Sequence, residues 1–175
     1  MRLRSRALLA GMLLLAPSLH AQRVPESLRG GTVTGAGVDV VLIDGMRVPL
    51  LAYRRLRMTR YLVAPELAFS GLILPVALVM VGTVSIGPAL FTPDGSVGLL
   101  LHAGPGIGLV AGFYGAALLP LVEVGAGFLV RGDEGAAIRL DVSRVLSPSR
   151  HQTLTAWRVG FHIVELRSPG KPASP

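Results

Sequence analysis

The stretch Leu154–Val164, LTAWRVGFHIV, decides how the rest of the chain is read. Trp157, Val159, Phe161 and Ile163 share one parity; Arg158, Gly160 and His162 share the other. Successive side chains of a strand point to opposite faces, so this is a strand with one large apolar face and one small or charged face. A soluble sandwich would bury the large face. A membrane barrel turns it to lipid and keeps arginine and histidine inside. The two arrangements place the same residues oppositely, and composition separates them.

Only 15% of the 175 residues are charged, and the mean hydropathy is +0.59. That is more apolar residue than the core of one soluble exported domain uses, and the excess points to lipid. The beginning of the chain reads as an address. Arg2, Arg4 and Arg6 precede the apolar run Ala7–Ala16, Pro17 ends it, and Ala21 is a small residue suited to cleavage. Residues 1–21 are therefore expected to be a signal peptide. They hold three of the 17 basic residues and none of the 10 acids, so the formal charge falls from +7 to +4 without them. No basic cluster with interleaved aromatics remains, and nucleic acid is not an expected partner. The chain has no cysteine, which excludes disulfides and thiolate metal sites.

Residues 22–31 read as a polar linker. Eight segments of strand character follow within 32–166: Thr32–Ile43, Val48–Arg57, Arg60–Phe69, Val76–Phe91, Ser96–Val110, Leu121–Arg131, Ala136–Ser143 and Leu154–Val164. Asp44-Gly45 and Thr92-Pro93-Asp94-Gly95 are strong turn signals. Connections two, four and six are expected to be tight. Three, five and seven (Ser70–Pro75, Ala111–Pro120, Leu146–Thr153) are expected to be longer. Short turns on one side and longer loops on the other mark an up-and-down barrel. Tyr61, Phe91 and Phe128 are expected to form an aromatic girdle toward the short turns, and Phe69 and Trp157 one toward the long loops. The Pro-rich, basic tail 167–175 is expected to be disordered.

Together with the signal peptide, the segments Ile138–Arg144 and Trp157–Ile163 make the chain resemble small outer-membrane β-barrels of the OmpA/OmpX type over roughly Thr32–Leu166. The resemblance implies an all-β, eight-stranded antiparallel transmembrane barrel in a bacterial outer membrane. It also implies a C-terminal signal for the barrel-assembly machinery, which Arg158, Gly160 and Ile163 match. Glu165 stands where the last apolar residue of that signal would be.

Eight strands leave an interior just wide enough to be filled by side chains. The inward set reads as Gly82 or Thr83, Ser85, Gly98, Gly104, Gly125 and Gly127, with a polar network of Glu66, His102, Glu123, Arg139, Asp141, Arg158 and His162. Glu123 and Arg139, on neighbouring strands, are expected to pair, because a lone buried charge is costly. Such a lumen should conduct poorly.

Other motifs have bland readings. Gly106–Ala111 matches G-x-G-x-x-A, but no helix is expected after it, so lumen-facing glycines are preferred to a dinucleotide site. Gly104, Gly108 and Gly112 fit a helix-packing pattern, and Leu72–Phe91 is apolar enough to span as a helix. The prolines and the period-two charges of the last three segments argue against two or three transmembrane helices. His102, His151 and His162 lack metal-ligand spacing. His151, near Ser147, Ser149 and Thr153, is the only candidate for a lipid-modifying enzyme. Arg54, Arg55, Arg57 and Arg60 read as an anchor to anionic headgroups. The expectation is thus a monomeric outer-membrane barrel in contact with lipid, structural or interacting in role. No catalytic, metal or cofactor site is expected in it. The alternatives are a lipid-modifying barrel enzyme or a helical membrane protein.

Overall fold

A computed structural model describes residues 24–59, 63–75, 77–113, 115–132, 135–148 and 154–167. Eight antiparallel strands form a closed barrel in which each pairs with its sequence neighbours and the last closes on the first. They are β1 (Thr32–Ile43), β2 (Met46–Arg57), β3 (Val63–Leu74), β4 (Ala77–Phe91), β5 (Val97–Gly112), β6 (Gly115–Arg131), β7 (Ala136–Ser147) and β8 (Leu154–Arg167). Closure leaves no free edge strand, as hydrocarbon requires of a spanning sheet, although the β2–β3 ladder is shorter than the others. Among the described residues no helix is long and apolar enough to cross a membrane, and Gly104–Gly112 lies within β5. The helical alternative is thereby set aside.

β1 has the bounds read from its alternation. It turns into β2 through Asp44 (φ 47°) and Gly45 (φ 81°), two left-handed residues that match a two-residue hairpin to the strand twist. The loop pattern differs from expectation. Ser70–Leu74 continues β3, and Ala111–Gly112 and Gly115–Pro120 continue β5 and β6. Connections three and five are therefore two-residue turns, tighter than connections two and four. Proline removes a ladder donor, which disfavours it within a strand. Yet the register runs on through Ile107↔Pro120 to Gly112↔Gly115. Arg167, expected in the tail, ends β8.

The exterior is the apolar side. Val122, Phe128, Ile138 and Phe161 are 42–50% exposed, while Glu123, Arg139 and Arg158 are at most 1% exposed. Phe69, Phe128 and Trp157 face outward as the girdles require. Phe91 does not: it shares the parity of Thr83 and Ser85 and lies in the lumen at 2% exposure. Its ring covers Gly98 on β5, where a side chain would collide with it. Tyr61 lies outside the described residues.

Candidate functional site

The lumen has three layers. We call the end bearing the β2–β3, β4–β5 and β6–β7 connections proximal, and the other end distal. The proximal layer is apolar: Leu56, Met58, Phe91, Leu100, Leu129 and Val164 pack together with Val24 and Leu28. Val24–Gly31, expected to be a linker, is folded into the proximal mouth. A short 3-10 helix, Glu26–Leu28, shapes it, and Gly30 N–H donates to Met58 O at 2.9 Å. Val24 and Leu28 supply the apolar contacts that its polar neighbours hide from a reading by composition.

The middle layer is ionic. Arg54 Nη1 donates to Glu66 Oε1 at 3.0 Å. The same guanidinium lies 3.8 Å from Asp39 and 3.7 Å from Asp141. Arg139 Nη2 donates to the Glu66 carboxylate at 2.9 Å and to Asp141 Oδ1 at 2.7 Å. Arg158 donates to Glu123, and its Nε is 3.6 Å from Asp39. His102 Nε2 is 3.3 Å from Glu123 Oε1. His162 bridges two acids, Nε2 3.1 Å from Asp39 and Nδ1 3.2 Å from Asp141. All these side chains are buried. Charges in such surroundings persist only when paired. Arg54, Arg139 and Arg158 face Asp39, Glu66, Glu123 and Asp141; a proton on His162 would balance the remaining negative charge. Gly125 and Gly127 make room, since a side chain at the first would strike His102 and Ser143, and at the second Asp141 and Arg139.

Glu66, His102, Glu123, Arg139, Asp141, Arg158 and His162 are thus together in this layer. Two further members, Asp39 and Arg54, were not expected there. Asp39 alternates with Val38 and Val40, and Arg54 shares parity with Ala52 and Leu56, so strand parity could have found both. The sequence groups Arg54 with Arg55 and Arg57 as a headgroup anchor, but the structure separates them: those two face outward and Arg54 inward. Glu123 and Arg139 are not partners. In the β6–β7 ladder Arg139 lies opposite Leu129, six residues from Glu123, or roughly 20 Å along the strand at ~3.3 Å per residue. Each found other partners. Among the described residues no group of acids and histidines forms a metal site. Each arginine here lies within 4.0 Å of an acid, so the layer neutralises its own charge. His151 lies outside the described residues.

The distal layer is a cavity of about 350 Å³ with an almost wholly apolar wall. Its one polar side chain, Ser147, donates to Pro120 O at 2.8 Å.

The fold is that of the small outer-membrane eight-strand barrels. The chain is similar to the N-terminal β-barrel domain of Pseudomonas aeruginosa OprF (TM-score 0.66, 11% identity, covering 79% of this chain and 98% of that one). It is also similar to Neisserial surface protein A (TM-score 0.53, 10% identity, 79% and 97% covered). No family model and no curated protein matches the chain. At these identities the likeness speaks for the fold alone.

Proposed function

We propose that the chain is a monomeric bacterial outer-membrane barrel, closed to ions, that acts as a structural or interaction module rather than as an enzyme. It is exported by a cleaved N-terminal signal and inserted by the barrel-assembly machinery. Its partner around the wall is lipid, not nucleic acid. One observation carries this reading: the side chains are segregated inside out, with ionic groups buried and Phe128, Val142, Phe161 and Ile163 standing free on the outside. In water such an exterior would be a large contiguous apolar patch, far beyond what monomeric soluble proteins show. In hydrocarbon it costs nothing, and the paired interior is what low dielectric demands.

The barrel is closed because two layers in series obstruct the lumen. The proximal apolar layer gives an ion nothing to replace its hydration, and the ionic layer already uses its own charges. The test is refolding into lipid vesicles, then gel migration with and without heating, then conductance in a planar bilayer. Folded protein should migrate differently from boiled protein and give no steady open-channel current. A stable open conductance at rest overturns the closed-lumen reading. The lipid-modifying alternative depends on His151, which lies outside the described residues.

A further inference from the structure

We infer that the distal half of the lumen is a binding site for one linear alkyl chain, entered sideways from the lipid face between β2 and β3. The inference rests on the membrane barrel proposed above and adds a ligand to it.

The first observation is the cavity. Val41, Val48, Val81, Leu119, Leu121 and Val145 form much of its wall. Protein interiors are packed with few voids larger than a water molecule. A space of about 350 Å³ with an almost wholly apolar wall is a poor place for water, which needs two or more hydrogen bonds there. It lies within the range of small-molecule sites, at the small end. With ~30 Å³ for a group the size of a water molecule, it holds roughly ten to twelve such groups. An occupant must therefore be apolar and of about that size.

The second observation is the seam. The β2–β3 ladder stops at Leu51↔Gly71, so residues 46–50 of β2 and 72–74 of β3 have no partner across it. The β3–β4 ladder continues to Leu74↔Ala77, which leaves the gap on one side of β3 only. Unpaired backbone facing lipid is costly, so a gap there needs a purpose or a filling. Outside the same strands runs a groove of about 470 Å³ bordered by Leu51, Phe69, Leu72, Ile73 and Met80. Met80 also borders the inner cavity. Groove and cavity thus share the Met80 side chain as a common border, and methionine adapts readily to different fillings. With the unpaired seam beside it, this is the shortest way from the cavity to the surface that the membrane covers, and the occupant at hand on that surface is an acyl chain. The polar head of its parent amphiphile remains outside, since the inner wall offers no charge to receive it.

The test uses the full barrel in a fluorinated surfactant, whose tails mix poorly with hydrocarbon, and linear fatty acids of increasing length displacing a fluorescent alkyl probe. Affinity should rise about fourfold per methylene while carbons still enter the cavity, then level off at about ten to twelve carbons. Gly108 lies on the wall, and a side chain there meets only ordinary contacts, with Leu121 at 3.5 Å and Leu119 at 3.7 Å. Gly108→Phe should fill the space and move the plateau to shorter chains; Leu119→Ala should move it to longer ones. Both variants must still show heat-modifiable migration, which tests the barrel separately from the ligand. An affinity that keeps rising with length, or a plateau indifferent to both variants, means adsorption to the outer wall and overturns the site. The chain lacks cysteine, so Leu50→Cys with Leu72→Cys introduces a single possible cross-link over the seam. Oxidation should slow probe entry at least tenfold and reduction restore it. An entry rate unchanged in the cross-linked protein overturns the sideways route.

Discussion

Arg54→Met is the sharpest test of the inside-out arrangement. Arg54, Arg55 and Arg57 sit within four positions, yet alternation sends the first into the lumen and the other two outward. Arg54 donates to Glu66 and lies within 4.0 Å of Asp39 and Asp141. Methionine keeps much of the volume and removes the charge. Glu66 and Asp141 retain Arg139, and Asp39 retains Arg158 and His162, but the layer is left with one more uncompensated negative charge. Breaking a buried ion pair from one side costs about 3–5 kcal/mol. At a urea dependence of about 2 kcal/mol per molar, the unfolding midpoint should fall by roughly 2 M. Arg55→Met and Arg57→Met, at exposed positions, should stay within about 0.5 kcal/mol of the parent. The assay is equilibrium urea unfolding in lipid vesicles, followed by the fluorescence of Trp157, the chain's one tryptophan. A double change, Arg54→Met with Glu66→Gln, should recover part of the loss, because the second change withdraws one unmatched charge. If Arg54→Met costs no more than Arg55→Met, the three arginines are equivalent and the ionic layer does not hold the barrel together.

The lipid face and one turn give two further expectations. Val142 faces outward on β7 between Ala126 and Val159, so Val142→Arg should cost about 2–4 kcal/mol in the same unfolding assay if that wall lies near the bilayer midplane; a cost under about 0.5 kcal/mol would remove the contact with hydrocarbon. In the β4–β5 turn, hydrogen bonds from Thr92 and then Ser96 hold the Asp94 carboxyl down at about 2. Because the folded value lies below the ordinary one, the turn's added stability is present above about pH 4 and lost as the pH falls toward 2. A carboxyl titration of Asp94 by NMR centred near 3.8 would refute those bonds, and Asp94→Asn should abolish the effect.

Parity made much of the barrel readable in advance. Leu154–Val164 alternates in parity, and both of its inward basic residues, Arg158 and His162, meet acids in the lumen. Where two signals competed, parity was the better guide. Arg54 was lost to the look of a basic patch, and Phe91 to the habit of placing aromatics at an interface. Both lie on the inward parity of their own strands. Glycine and proline misled in the other direction: Gly71, Gly112 and Pro120 read as loop residues but continue strands, because a closed ladder can absorb one missing donor. Partner choice was out of reach. That Glu123 meets Arg158 rather than Arg139 follows from registers of strands far apart in sequence. The distal cavity could not be seen at all, since a void depends on volumes summed over several strands, and each of its residues looks like ordinary apolar filling.

The ionic layer has a structural consequence beyond neutrality. Asp39 on β1, Arg54 on β2, Glu66 on β3, His102 on β5, Glu123 on β6, Arg139 and Asp141 on β7, and Arg158 and His162 on β8 leave only β4 without an ionisable side chain in it. The seam that closes the barrel is tied most directly, since Asp39 of β1 meets both Arg158 and His162 of β8. Side chains alternate with period two, so a slip of one residue in any of these strands would turn its charge to lipid and its apolar row to the lumen. Each exposed arginine would then cost about 2–4 kcal/mol near the midplane, and the acid it left behind would stand unpaired. The apolar layers on either side tolerate exchange of one aliphatic residue for another and say little about register. The ionic layer tolerates almost none. It selects one closed register from the many that an apolar sheet of valine, leucine and glycine would accept, and that selection leaves the distal lumen free to stay apolar and open.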